Sequence, residues 1–230
     1  LYGFDRSVEA ITAVTGRARN GKANKVEPQD RPFHDWYRFV LSYPPHLVRH
    51  YLRDFELDGN RTVLDPFCGT GTTLVEAKRC GAPSVGLEAN RFAQFASSVK
   101  TDWDIDADQL EAMAQGIAAR TLAELAKQGI DDAQGFGGDI HSLSLRQLEP
   151  DAEKLLLAGS ISPLPLHKTL VLLDAVHECA SCRGYRHMLL ALANALVYSI
   201  SNLHFGPEVG VGKPKEDAPV VSTWLREIKK

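Results

Sequence analysis

Neither sign of charge is in real excess in this sequence, where 26 Lys and Arg face 29 Asp and Glu for a formal net charge of −3. That balance excludes a chain that holds nucleic acid through its overall field, so such a partner must be met by a local patch or by a part outside these residues. Cysteine is sparse at four residues, Cys68, Cys80, Cys179 and Cys182, and no signal-peptide pattern opens the chain, which points to a reducing cytoplasm. No apolar stretch is long and charge-free enough to span a membrane. The chain opens at Leu1 rather than methionine and stops in the charged run Arg226 to Lys230, so both ends are expected to be cuts in a longer protein.

What is present is enough apolar material, 44% of 230 residues, for one large domain or a domain with an insertion. Residues 1–31 read as an N-terminal arm: polar, with a short amphipathic piece around Ser7 to Val14 and a basic run from Gly16 to Lys25 that fits a solvated surface. Pro45 to Phe55 should form a helix, with Leu47, Val48, Tyr51, Leu52 and Phe55 on its buried face. Asp58 to Asn60 is a turn, after which Arg61 to Phe67 reads as a strand ending at an acid. Thr72 to Arg79 should be a helix closed by Gly81, Pro83 to Glu88 a second strand, and Arg91 to Trp103 a second helix. Strand, glycine turn, helix and strand with an acid at its tip is the opening of a doubly wound parallel sheet, an α/β core of Rossmann-like kind.

Between the first strand and its helix lies Asp65-Pro66-Phe67-Cys68-Gly69-Thr70-Gly71-Thr72. Glycine at 69 and 71 permits backbone shapes closed to other residues and leaves no Cβ between the chain and a ligand over the strand end. The helix start then presents backbone N–H groups to that ligand, and Glu88 at the next strand tip is placed for a ribose hydroxyl pair. A dinucleotide fingerprint needs a third glycine where Leu74 stands, and a phosphate-binding loop needs Gly-Lys-Ser/Thr. Asp65 would repel a pyrophosphate but attract an ammonium or a sulfonium, and S-adenosylmethionine carries both.

These residues resemble the amino-group DNA methyltransferases, which modify N4 of cytosine or N6 of adenine. The passage from Asp65 to Thr73 is similar to that family's motif I; Gly86 to Asn90 resembles motif II, with Arg91 in place of the usual residue that follows; Ser42 to Val48 resembles motif X; and Gly137 to Ile140 resembles motif III. The resemblance implies a Rossmann-like methyltransferase fold and S-adenosylmethionine as cofactor, held by Asp65, Pro66, Phe67, Cys68, Gly69, Thr70, Gly71, Thr72 and Glu88. It further implies that Pro45 closes one side and that Asp139 meets the adenine amino group. DNA is the implied partner, in the setting of restriction and modification. It also places the nucleotide-binding region at 32–142 and a helical insertion with a linker at 143–230.

The family presents its target base with a [DNS]-P-P-[YF] loop. The one Pro-Pro pair here, Pro44-Pro45, is preceded by its tyrosine, so the catalytic loop is expected beyond Lys230, or on a separate subunit, and the isolated chain is expected to be inactive. Two alternatives stay open: a transfer RNA guanine-N2 methyltransferase, which uses a similar loop, and a non-catalytic cofactor-binding or specificity subunit. From Ala107 onward the pattern is helical, with Glu153 to Gly159, Lys168 to Glu178 and Tyr185 to Leu203 as further segments. Cys179 and Cys182 lack a second pair and read as two small residues near a helix junction rather than a zinc site, and no metal is expected. Cys68 has no neighbouring cation to activate it, and His141, His187 and His204 read as surface or capping residues. Phe205 to Pro219 reads as a loop with two lysines, either against a phosphate backbone or a solvated linker.

Overall fold

The computed structural model describes residues 26–39, 42–57, 59–206 and 208–230. The basic run and the amphipathic piece of the N-terminal arm lie outside the described residues, as do Asp58 and Pro207. The described chain is mixed α/β and falls into two compact units, one ending at Thr101 and the other running from Asp102 to Lys230. Residue 142, the expected edge of the nucleotide-binding region, thus lies inside the second unit.

In the first unit, Pro44 and Pro45 open helix α1 (Pro45–Asp54), as a fixed proline φ suits a helix start. Strand β1 (Val63–Asp65) leads into α2 (Thr72–Arg79), then β2 (Ser84–Gly86) into α3 (Arg91–Lys100). The two strands pair in parallel with Asp65 opposite Gly86. The ladder runs on past the strands, with Leu87 N–H donating to Asp65 O at 2.9 Å and Cys68 N–H donating to Leu87 O at 3.0 Å. Glu88 therefore sits just beyond β2, in the loop that the ladder holds beside the glycine turn.

A buried ionic cluster fastens α1 to α2. The side chains of Asp30 and Glu76 are fully buried, and the Arg49 guanidinium lies 2.7 Å from Asp30 and 2.6 Å from Glu76. His34 Nε2 bonds Glu76 at 2.7 Å, and Arg79 adds a contact at 3.1 Å. Burial pushes both carboxyls up, but the hydrogen bonds and charges of Arg49, with His34 on Glu76 and Arg79 on each, outweigh it and hold them below the ordinary range.

The second unit is mostly helical: α4 (Ala107–Lys127), α5 (Pro163–His177), α6 (Tyr185–Ala195) with a π turn over Leu196–Ile200, and α7 (Val221–Ile228). Their apolar stripes meet around Leu125, Leu172, Met188 and Trp224, all nearly or fully buried, and the Trp224 indole N–H donates to Met188 O at 3.0 Å. Two short antiparallel hairpins decorate the bundle, β3 (Ile130–Asp131) with β4 (Gly135–Phe136) and β5 (Leu203–Phe205) with β6 (Val209–Val211). Asp132, beside the first hairpin, accepts the N–H groups of Val220, Val221 and Ser222 at 2.8 to 3.0 Å and so caps the start of α7.

Several expectations are corrected. The parallel sheet is, as expected of an incomplete core, a single pair of strands among the described residues, but the other strands there are antiparallel. Phe55 is 57% exposed, because the chain leaves α1 one residue before it. The segment from Glu153 to Gly159 is not a helix: the turn over Pro150–Glu153 stops there, and Leu155 projects 85% exposed. Val209–Val211 pairs as a strand where a loop was expected, since Val-Gly-Val alternation suits a hairpin arm. Cys179 and Cys182 form a disulfide rather than lying as separate small residues, because the tight turn after α5 brings their Cα atoms to 5.3 Å. His187 is buried, with its Nε2 3.0 Å from the carbonyl of Asp102. No helix among the described residues is long and apolar enough to cross a membrane.

Replacing Arg49 by methionine keeps the stem but strands two buried carboxylates. It should lower unfolding free energy in urea by about 3 kcal/mol, read by circular dichroism. In the parent chain the cluster's contribution is present at neutral pH and lost as pH falls through the depressed carboxyl range, so the first unit should weaken below about pH 4. In the variant burial raises the same carboxyls, so their protonation relieves the penalty and the stability gap between parent and variant should narrow as pH falls.

Candidate functional site

The site begins with the backbone. Gly69 has φ of +52° and Gly71 φ of +86°, both in the left-handed region that a side chain disfavours. They differ in surroundings. A Cβ at Gly69 would meet nothing within 4 Å, whereas one at Gly71 would lie 2.7 Å from Ser97 Cβ on α3. Gly69 is thus open, while Gly71 has a packing reason of its own, the close passage of α3 behind the bend.

Glu88 fixes the bend from across the strand tips. One carboxylate oxygen accepts the Gly69 N–H at 2.9 Å and the other accepts the Asn90 N–H at 2.7 Å. Each oxygen keeps a lone pair, so the group has acceptor capacity left for hydroxyls. Asn90 in turn caps α3 by accepting the N–H groups of Phe92 and Ala93, each at 3.0 Å. On the other flank, Asp65 accepts the Phe67 N–H at 3.1 Å and the Tyr43 hydroxyl at 3.3 Å, and Tyr43 also bonds Thr73 Oγ1 at 2.6 Å. Burial and the neighbouring Asp65 raise the Tyr43 phenol above its usual range, so it stays protonated. Burial likewise pushes the Cys68 thiol up, in keeping with a cysteine that packs rather than reacts.

Over the bend lies a cavity of about 370 Å³. Phe67, Cys68, Gly69, Thr70, Thr72 and Glu88 line it, which brings together six of the residues singled out from sequence. Asp65 stands behind it through its bonds to Phe67 and Tyr43, and Pro66 and Gly71 belong to the bend itself without lining the cavity. Pro45 is buried at the start of α1, and it is Ser42 and Tyr43 just before it that reach the cavity. Asp139 lies in the second unit, where its carboxylate accepts the His141 N–H at 3.0 Å and caps a turn of 3-10 helix.

Sequence reasoning missed the aromatic wall. Tyr37, Phe39 and Phe92 line the cavity, with the Tyr37 and Phe92 rings edge to face at 5.0 Å. The aromatic density of Trp36-Tyr37-Arg38-Phe39 was the signal available, but nothing local ties that segment to a helix 55 residues later. The fit to a nucleoside with a cationic group is sound on these observations: an open left-handed glycine, a carboxylate with free lone pairs, and aromatic faces.

Residues 11–96 match the sequence model of a family described as DNA methylase. Among curated proteins, the chain is 32% identical over 94 residues to the type II methyltransferase M.BsoBI of Geobacillus stearothermophilus, covering 41% of this chain and 18% of that protein. It is 38% identical over 73 residues to the ribosomal RNA large subunit methyltransferase K/L of Shewanella frigidimarina, covering 30% and 10%. It is 29% identical over 79 residues to the type II methyltransferase M.AvaI of a Nostoc species, covering 34% and 16%. The matches therefore span less than a fifth of those proteins' lengths. No solved structure matches the chain.

The two glycines should respond differently to alanine. Gly69→Ala has room and should cost about 1 kcal/mol of left-handed strain. Gly71→Ala adds a clash with α3 and should cost roughly 2 to 4 kcal/mol, with Ser97→Gly recovering part of the loss. Urea unfolding of the single and double variants measures both; equal losses would contradict the packing reason.

Proposed function

We propose that this chain is the S-adenosylmethionine-binding part of a DNA amino-methyltransferase, one that transfers a methyl group to N4 of cytosine or N6 of adenine. The observation that carries this reading is the bend at Gly69, open to the cavity and held by Glu88 beneath aromatic walls. Bound there, the cofactor supplies an electrophilic methyl group on a sulfonium. The chain's own residues bind and orient. Glu88 turns its remaining lone pairs toward ribose hydroxyls, and the negative charges of Asp65 and Glu88 favour a cation. Tyr37, Phe39 and Phe92 offer ring faces, which attract a cation electrostatically and exclude water.

The target amine needs hydrogen-bond acceptors and a stacking ring as the base leaves the duplex. The Pro44-Pro45 pair is engaged in opening α1. The base-holding loop is therefore assigned to another segment or to a partner chain, and DNA binding to the assembled protein. A second reading is favoured by the 38% identity to a ribosomal RNA methyltransferase: the same cofactor site serving an RNA substrate. Methyl uptake by duplex DNA and by ribosomal RNA, measured with the complete reading frame, separates the two.

For the cofactor site, calorimetry of the full chain with S-adenosylmethionine should show saturable heat. Asp65→Asn, which keeps shape but removes charge, should weaken binding about tenfold. Absence of heat in the parent chain would contradict the assignment.

A further inference from the structure

Behind the bend one buried cation joins two walls of the cavity. Lys100, the last residue of α3, is 1% exposed. Its ammonium donates to the carbonyl of Thr70 at 2.9 Å and to the carbonyl of Tyr37 at 3.2 Å. Thr70 and Tyr37 both line the cavity, yet they are far apart in sequence and belong to different segments. Burying an ammonium is unfavourable, and an apolar residue of similar length would fill the same space without that penalty. The contribution specific to lysine is the pair of charge-assisted bonds, which fix the peptide plane between the two glycines relative to the aromatic wall.

We infer that Lys100 is a positioning residue of the cofactor site, holding the glycine bend and the Tyr37 segment at the separation the nucleoside needs. The inference rests on the cofactor reading above and deepens it. Burial, then the charge of Arg38, lower the Lys100 pKa to about 7, with Asp35 acting in the opposite sense. Those two ionisable groups come from the segment that carries Tyr37, while the bend faces Lys100 with the Thr70 carbonyl. The clasp is therefore strongest in acid and weakens as the ammonium loses its proton. Fold stability moves the other way. Between about pH 7 and the unfolded value of 10.5 the unfolded chain holds more protons than the folded one, so this group makes the fold more stable as pH rises.

The test measures S-adenosylmethionine affinity from about pH 6 to about pH 8.5 in the parent chain and in Lys100→Met, with urea stability alongside. At the acid end the parent should bind about tenfold more tightly than the variant, and that advantage should fade toward the alkaline end while stability rises. The variant's profile should carry only the titration of the cofactor's own α-ammonium, so it is the ratio of parent to variant affinity that should fall with pH. Equal affinities with the same pH profile, or a ratio that is flat, would overturn the inference. Without cofactor, hydrogen exchange at one fixed pH should speed up about tenfold in Lys100→Met at residues 36–39 and 68–72, and unchanged exchange there would overturn it equally. Should the variant fail to fold, the parent's affinity profile for 5′-methylthioadenosine, which lacks the α-ammonium, decides: a fall with pH supports the clasp and a flat profile overturns it. If the parent binds no cofactor at any pH, the cofactor reading fails, and the exchange measurement still judges the clasp.

Discussion

The acceptance of the Gly69 N–H by Glu88 is the contact on which the first unit's site depends. It joins the tip of β1 to the chain beyond β2, and the same carboxylate takes the Asn90 N–H just before α3. One acid thereby sets the position of the bend and the start of a helix. Hydrogen bonds to an ionised acceptor are about twice as strong as neutral ones. The left-handed glycines make the bend possible, and Glu88 selects that shape from the many an unsupported glycine loop would sample.

Two layers of charge stand behind this contact. The cluster of Asp30, Glu76, His34, Arg49 and Arg79 fastens α1 to the helix that follows the bend. Lys100 fastens the bend to the aromatic segment. A buried ion pair is weak evidence for stability, since desolvation opposes the attraction, but breaking one partner away is strongly unfavourable. The cluster therefore acts chiefly by fixing one arrangement of elements around the cavity. Polar groups set the geometry while Val75, Ala77 and Val99 supply the burial.

Much of this was legible in the chain. Helix α2 has the bounds read from its sequence, and Asn90 stands one residue before α3, because capping and glycine signals act within a few residues. The parallel pairing of β1 with β2, and Glu88 close to the tip of β2, followed from the strand-turn-helix-strand order, whereas the register that sets Asp65 opposite Gly86 did not. The clasp by Lys100, the cluster around Glu76 and the aromatic wall were not legible, since each brings together separate segments of the chain whose meeting depends on packing. In the second unit α4, α5 and α6 showed in their 3.6-residue period, whereas α7 was not read from the sequence. The hairpin at Val209–Val211 and the disulfide did not show, because a three-residue strand is too short for periodicity and a turn's Cα spacing is set by its exit from α5.

The central claim is that the bend from Asp65 to Thr72, with Glu88 across from it, is where a sulfonium nucleoside binds. Titrating the isotope-labelled chain with S-adenosylmethionine and following backbone amide chemical shifts tests this most directly. The account predicts saturable shifts that are largest at Gly69, Thr70, Gly71, Glu88 and Asn90. Unmoved signals at those amides, or shifts centred on the helices of the second unit, would contradict it.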